Sequence, residues 1–263
     1  GSISETGFRL YYAVAVLVKS TPAELFVLVA AALALRRRRE PLLLGAAFLF
    51  AAFFVVASLS QKQTGLRYAL ALYPALAIAA ASVIPAKWAK PLIAAQALSC
   101  LLAAPDFLSY FNYPSGGGAS ASSILVDSNL DWGQDLKRLG AWLKKEGEPE
   151  VVLSYFGVSS PESYGFKPQH LFTKSGIQRR WANSDSPARE LLVVSATHLR
   201  GLYLPPGALS WLDGRVPDAR VGSTFFVYDI TRDRAAHRKL AELYRAAGDK
   251  PLAERQERRL KAL

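Results

Sequence analysis

The chain has 263 residues, 51% of them apolar, a formal net charge of +11, one cysteine, three histidines and no methionine. The lone Cys100 excludes an intrachain disulfide framework, and with His170, His198 and His237 scattered it argues against a zinc site. Residues 1–104 hold ten Lys/Arg against three Asp/Glu, leaving twenty-two against eighteen for the rest, so the basic excess lies on the apolar part, where membrane-flanking cations belong, and no nucleic-acid partner is expected.

Phe8–Val18 is apolar with Tyr11 and Tyr12 near its start, and Lys19-Ser20-Thr21-Pro22 interrupts it, which predicts a short interfacial helix before Lys19. Thr21-Pro22-Ala23-Glu24 reads as a capping box with proline at the first helical position, opening a membrane span from Pro22 to about Arg38. Pro41–Ser60, Tyr68–Ile84 and Ala86–Ala104 are three further predicted spans. Arg36–Arg39 and Lys87 with Lys90 join these spans on one side, and the positive-inside rule assigns that side to the cytoplasm. The loop Gln61–Arg67 and everything after Pro105 then face outward, into the periplasm of a Gram-negative cell. This predicts a multi-pass protein of the bacterial inner membrane with residues 105–263 on the extracytoplasmic side.

Ser115-Gly116-Gly117-Gly118 predicts a flexible joint. Beyond it, Ile124–Val126, Val151–Tyr155, Leu191–Ser195 and Thr224–Tyr228 are predicted strands. Leu130–Lys145 carries helical apolar spacing through Leu136, Leu139, Trp142 and Leu143. From Arg232 the pattern is helical, broken at Ala247-Gly248-Asp249, and resembles half of a tetratricopeptide repeat, too little for a solenoid. The expected fold is therefore an α-helical membrane region of about four spanning helices (1–104), a small extracytoplasmic α/β domain (105–231) and a helical tail (232–263), the tail serving as a cap or as an arm for a protein partner.

Two clusters could carry chemistry. In Gln61-Lys62-Gln63-Thr64-Gly65-Leu66-Arg67-Tyr68, Arg67 could grip a phosphate with two parallel hydrogen bonds and Lys62 could add a point charge; a snorkelling anchor is the alternative. The run Asp127-Ser128-Asn129-Leu130-Asp131-Trp132-Gly133-Gln134-Asp135 sets three carboxylates at four-residue spacing among an indole and two amides. Asp127, Asp131 and Asp135 suit a sugar-hydroxyl cradle, helix-start residues or a divalent metal, although the run lacks the glycine and terminal glutamate of a calcium loop. A structural or substrate-positioning role is favoured over metal ligation. No cofactor is assigned, and a divalent-ion requirement stays undecided.

The succession Tyr11-Tyr12, Lys19-Ser20-Thr21-Pro22, Gly65-Leu66-Arg67-Tyr68 and Leu72-Tyr73-Pro74 resembles the C-terminal half of bacterial GT-C glycosyltransferases. It is more specifically similar to the family 39, protein O-mannosyltransferase-like group. The likeness continues through Tyr110-Phe111-Asn112, Asp127–Asp135, Ser154-Tyr155-Phe156-Gly157, Val194-Ser195-Ala196 and Phe226-Val227-Tyr228-Asp229, covering nearly all of residues 1–230. It implies an integral membrane enzyme that takes a sugar from a polyprenyl-phosphate carrier and passes it to an acceptor on the outer face. Arg67, Lys62, Tyr68, Asp127, Asn129, Asp131, Trp132, Gln134 and Asp135 are the substrate-binding candidates under that resemblance. The family's catalytic carboxylate sits in a first external loop that has no counterpart here. Together with the missing methionines, this leads us to expect a segment of a longer transferase, inactive alone. The rival expectations are a non-enzymatic, membrane-anchored binding or scaffold protein and, less favoured, part of a transporter, whose spans would carry ionisable residues.

Overall fold

A computed structural model describes residues 4, 7–61, 63, 65–172, 184 and 187–263, side chains of 119 and 120 excepted. By internal packing the chain forms two compact units, Gly1–Asn129 and Leu130–Leu263. Residues 105–129, which the sequence groups with the α/β domain, thus pack with the apolar helices.

The first unit begins with α1 (Tyr11–Lys19) and α2 (Pro22–Leu35). The predicted capping box forms: Thr21 Oγ1 accepts from Glu24 N, and the Glu24 carboxylate accepts from Thr21 N at 2.7 Å. Then follow α3 (Pro41–Leu59), α4 (Leu72–Val83) and α5 (Ala86–Ala103). Among the described residues one helix, α3, is long and apolar enough to cross a membrane, with a mean hydropathy of 2.6. At 1.5 Å per residue its 19 residues reach about 28 Å, whereas the 14 of α2 and 12 of α4 reach about 21 and 18 Å. The third predicted span is shortened because Leu66–Ala69 form a 3₁₀ turn and the α-helix starts only at Leu72. The fourth has 18 residues, but Lys87, Lys90 and Gln96 dilute its apolar character.

Two further expectations are corrected here. The Ser115–Gly118 stretch is no open joint: Tyr113–Ser115 form a 3₁₀ turn capped by Asn112, and α6 (Gly117–Ile124) starts immediately after. The predicted strand Ile124–Val126 is the end of that helix and an extended segment outside the sheet: Leu125 N donates to the Ala121 carbonyl and the Val126 carbonyl accepts from Asn129 N, and among the described residues no strand pairs with it.

The second unit is an α/β layer. Helix α7 (Leu136–Lys145) precedes β1 (Glu150–Ser154), β2 (Gln169–His170) and β3 (Glu190–Ser195). A one-turn helix α8 (Ala196–Leu199) leads on to β4 (Ala219–Val221) and β5 (Phe225–Asp229). The order is β2-β1-β3-β5-β4, with β1 parallel to β2 and β3, and β5 antiparallel to β3 and β4. Leu136, Leu139 and Leu143 recur at helical spacing and pack on Val151, Leu153, Leu191, Val193, Phe225 and Val227, the alternate residues of three strands. All six residues of β3 are buried, as befits a central strand covered on both faces.

The tail, α9 (Arg234–Ala246) and α10 (Lys250–Ala262), belongs to this unit. Asp233 and Asp249 cap the two helices, and His237 Nδ1 meets Gln256 Oε1 at 2.7 Å between them. From α10, buried Arg259 pairs with Glu190, and Arg255 and Arg259 approach Glu150 at 3.8 and 3.6 Å. Those glutamates start β3 and β1, so one face of the tail is spent on capping the sheet.

Candidate functional site

The nine-residue acidic run divides between the two units. In the first, Asn129 is a tie: its Oδ1 accepts from Leu66 N at 2.9 Å, and its Nδ2 donates to Tyr11 Oη at 2.7 Å. That holds the Leu66–Ala69 turn, which carries Arg67 and Tyr68, against the start of α1. Gly65 opens the turn at φ +107°, and a β-carbon there would come within 2.8 Å of Ser128 Cβ, so only glycine lets the two segments touch. Arg67 is exposed, its guanidinium 5.3 Å from the Tyr68 ring centre. Asp127 sits in the left-handed region at φ +57° and its charge is felt by Tyr11. The structure therefore brings Arg67, Tyr68, Asp127 and Asn129 to one region. Lys62 lies outside the described residues.

Sequence reasoning missed Lys19 and Asn112 beside this region. The Lys19 ammonium is buried, donates to the Leu108 and Asn129 carbonyls at 2.7 and 2.6 Å and lies 4.4 Å from the Phe111 ring centre. Burial pushes its pKa down to about 7. Asn112 Nδ2 donates to the Leu17 and Ser20 carbonyls at 2.6 and 3.0 Å, closing the end of α1.

In the second unit, Asp131 is 0% exposed. It accepts from Gly133 N at 3.0 Å and, more weakly, from Thr197 N at 3.4 Å. Burial raises its pKa to about 6, and the Gly133 and Thr197 amides and the Thr197 and Ser195 hydroxyls oppose that rise. Around it lie groups not singled out from the sequence, gathered by the carboxyl ends of the parallel strands β1 and β3. Ser154 Oγ meets His198 Nδ1 at 2.9 Å, and Ser195 Oγ accepts from Phe156 N at 3.0 Å. His198, expected as a packing or surface residue, is buried. The Tyr155 hydroxyl is buried without a partner of full hydrogen-bond geometry. Burial drives it up to about 12, with the Asp131 charge adding and nearby Ser159 opposing.

Two substrate candidates prove to be internal ties. Asp135, buried at the start of α7, accepts from Ser223 N at 2.8 Å, Thr224 N at 3.1 Å and Thr224 Oγ1 at 2.9 Å, and pairs with Arg138 at 2.9 Å. It fastens the β4–β5 turn to the helix. Gln134 folds back on its own loop, accepting from Trp132 N at 2.9 Å and donating to the Leu130 carbonyl at 2.8 Å. Trp132 itself remains partly exposed. Among the described residues no group of three His, Cys, Asp or Glu side chains is placed to hold a metal ion. Chemically, the first region offers a surface guanidinium beside tyrosines, and the second a protonatable buried carboxyl beneath aromatic rings. The chain matches no protein-family model, no curated protein and no solved structure.

Proposed function

We propose that the chain is part of an integral membrane glycosyltransferase of the GT-C, family 39-like kind, moving a sugar from a polyprenyl-phosphate carrier to an acceptor on the outer face of a bacterial cell membrane. Arg67 is the clamp on the carrier phosphate, and its neighbours Tyr68 and Asp127 border the head group. No catalytic base is assigned within residues 1–263. The observation that carries this reading is the Asn129 tie, which anchors an exposed guanidinium beside the acidic run. In this proposal α2, α4 and α5 cross the membrane with α3. Support comes from their outward apolar side chains, among them Phe26, Val29, Leu33, Ile93, Leu98 and Leu101.

Membranes containing the complete reading frame, offered labelled polyprenyl-phosphate sugars, should consume at least one donor. Arg67→Ala should lower transfer by roughly a hundredfold while the protein still inserts, and Arg67→Lys should restore only part of it, because a point charge lacks the planar fork. Equal turnover by Arg67→Ala would remove the phosphate clamp; no turnover with any donor would remove the transferase reading. A second reading, a non-enzymatic membrane-anchored binding protein, is favoured by the use of Asn129, Gln134 and Asp135 as internal ties, and it predicts that last result.

A further inference from the structure

Beyond the phosphate clamp, the second unit carries an aromatic ledge, of which the sequence singled out Trp132 alone. Phe156, just past β1, is only 7% exposed and stacks on Tyr203 with ring centres 5.2 Å apart and planes 6° from parallel. On its other flank Trp132 approaches at 5.8 Å, tilted by 53°. A buried ring thus holds two outer rings that stay 44% (Trp132) and 55% (Tyr203) exposed. Tyr203 sits at φ +60°, a conformation an aromatic residue rarely adopts, so the chain accepts local strain to present this ring. Gly133 and Gly157 flank Tyr155 so closely that a β-carbon at either would collide with its hydroxyl, which keeps the floor of the ledge flat.

The position and the rim suggest the occupant. The ledge stands at the carboxyl ends of parallel strands, where open α/β sheets receive ligands. The adjoining segments hold no cation: Gly157–Tyr164 contains Ser159, Ser160 and Ser163 with Glu162 its one charged residue, and in Asp131–Gln134 Asp131 is the one charge. An anionic lipid surface or a nucleic acid would want Lys and Arg around such rings, and Arg200 is the one cation in the segment leading to Tyr203. A neutral pyranose fits better. The electron-rich ring faces attract the polarised C–H groups on one side of the sugar. We propose that Trp132 and Tyr203 form a stacking subsite for a neutral hexopyranose unit of a glycan.

The test uses the full chain in phosphatidylcholine nanodiscs, since maltoside detergents would themselves compete. Methyl α-mannoside, methyl α-glucoside and methyl N-acetyl-β-glucosaminide are the probes, read by saturation-transfer NMR and titration. At least one glycoside should bind, and Trp132→Ala and Tyr203→Gly should each weaken it by about tenfold, the loss of one stacking contact. Glycine suits the left-handed backbone at position 203, so an unchanged melting temperature in Tyr203→Gly assigns the loss to the ring. No transfer to any probe, or equal affinity in both variants, overturns the proposal. So does quenching of Trp132 emission by brominated phosphatidylcholine, which would assign the ledge to the lipid surface. Glycoside binding needs no lipid-linked donor, so this result stands apart from the outcome of the transfer assay.

Discussion

Asp131 makes the second unit's stability depend on pH in a direction opposite to that of an ordinary paired carboxylate. Its pKa lies near 6 in the folded chain, against 3.8 in the unfolded one, so the folded state holds the proton more tightly. Between those values unfolding releases a proton, and stability falls as pH rises from about 4 to about 6. Each pH unit accompanies about 1.4 kcal/mol, which makes the cost of ionised Asp131 about 3 kcal/mol at neutral pH. Asp131→Asn keeps one oxygen for Gly133 N and cannot ionise, though its amide loses the weak bond from Thr197 N. The stability difference between Asp131→Asn and the parent should therefore shift by about 2.4 kcal/mol in the variant's favour from pH 4 to pH 7, since part of the cost is already present at pH 4. Denaturant unfolding followed by tryptophan fluorescence is suited to this, because three of the described tryptophans (132, 142 and 211) fall in the second unit. A difference that stays flat across that range would refute the argument that burial, and not the four opposing hydrogen-bond donors, controls this carboxyl.

Asp135→Ala strips partners from buried Thr224 and from the Ser223 amide; a loss of about 3–5 kcal/mol is expected by the same unfolding assay, and an unchanged midpoint would return Asp135 to the substrate candidates. Lys19→Met leaves the Leu108 and Asn129 carbonyls without their ammonium donor, partly offset by removal of a buried cation, and a net loss of roughly 1–3 kcal/mol should appear as a lower melting temperature in micelles. Gly133→Ala forces a β-carbon into the Tyr155 hydroxyl and ring edge and strains a backbone at φ +78°, so the near-ultraviolet circular dichroism of the ledge aromatics should change; paired with Tyr155→Ala, which removes the ring, the clash should go, and a melting temperature no higher than that of Tyr155→Ala less the backbone strain would place the fault in the backbone.

The legible parts of the fold were those with long periodic signals. Val151–Ser154, Leu191–Ser195 and Phe225–Tyr228 are apolar runs bounded by polar turns, and the strands lie there. Helix α7 was legible from Leu136, Leu139 and Leu143, but its start was read six residues early because the Leu130–Asp135 segment looks helical in spacing and is held as a loop by Gln134 and Asp131. β2 and β4, two and three residues long, have too little pattern to see. Ile124–Val126 has the composition of a strand, but among the described residues no strand pairs with it. The acidic run was conspicuous in the sequence, yet what distinguishes Asp135, a tie, from Asp131, a buried acid, is contact with residues 223–224 and 195–197 far along the chain. The same distance concealed Ser154 with His198, and Lys19 with Asn129.

The arginines of α10 also set a timetable. Glu190 begins the central strand, and its buried carboxylate is neutralised by Arg259, 69 residues later in the chain. At a synthesis rate of roughly 5–20 residues per second, about 3–14 s separate the emergence of the strand from that of its counter-charge. During that interval the carboxyl-terminal half has its hydrophobic strands but not that cation. A sheet that closes before then does so without Arg259 as the counter-charge of Glu190.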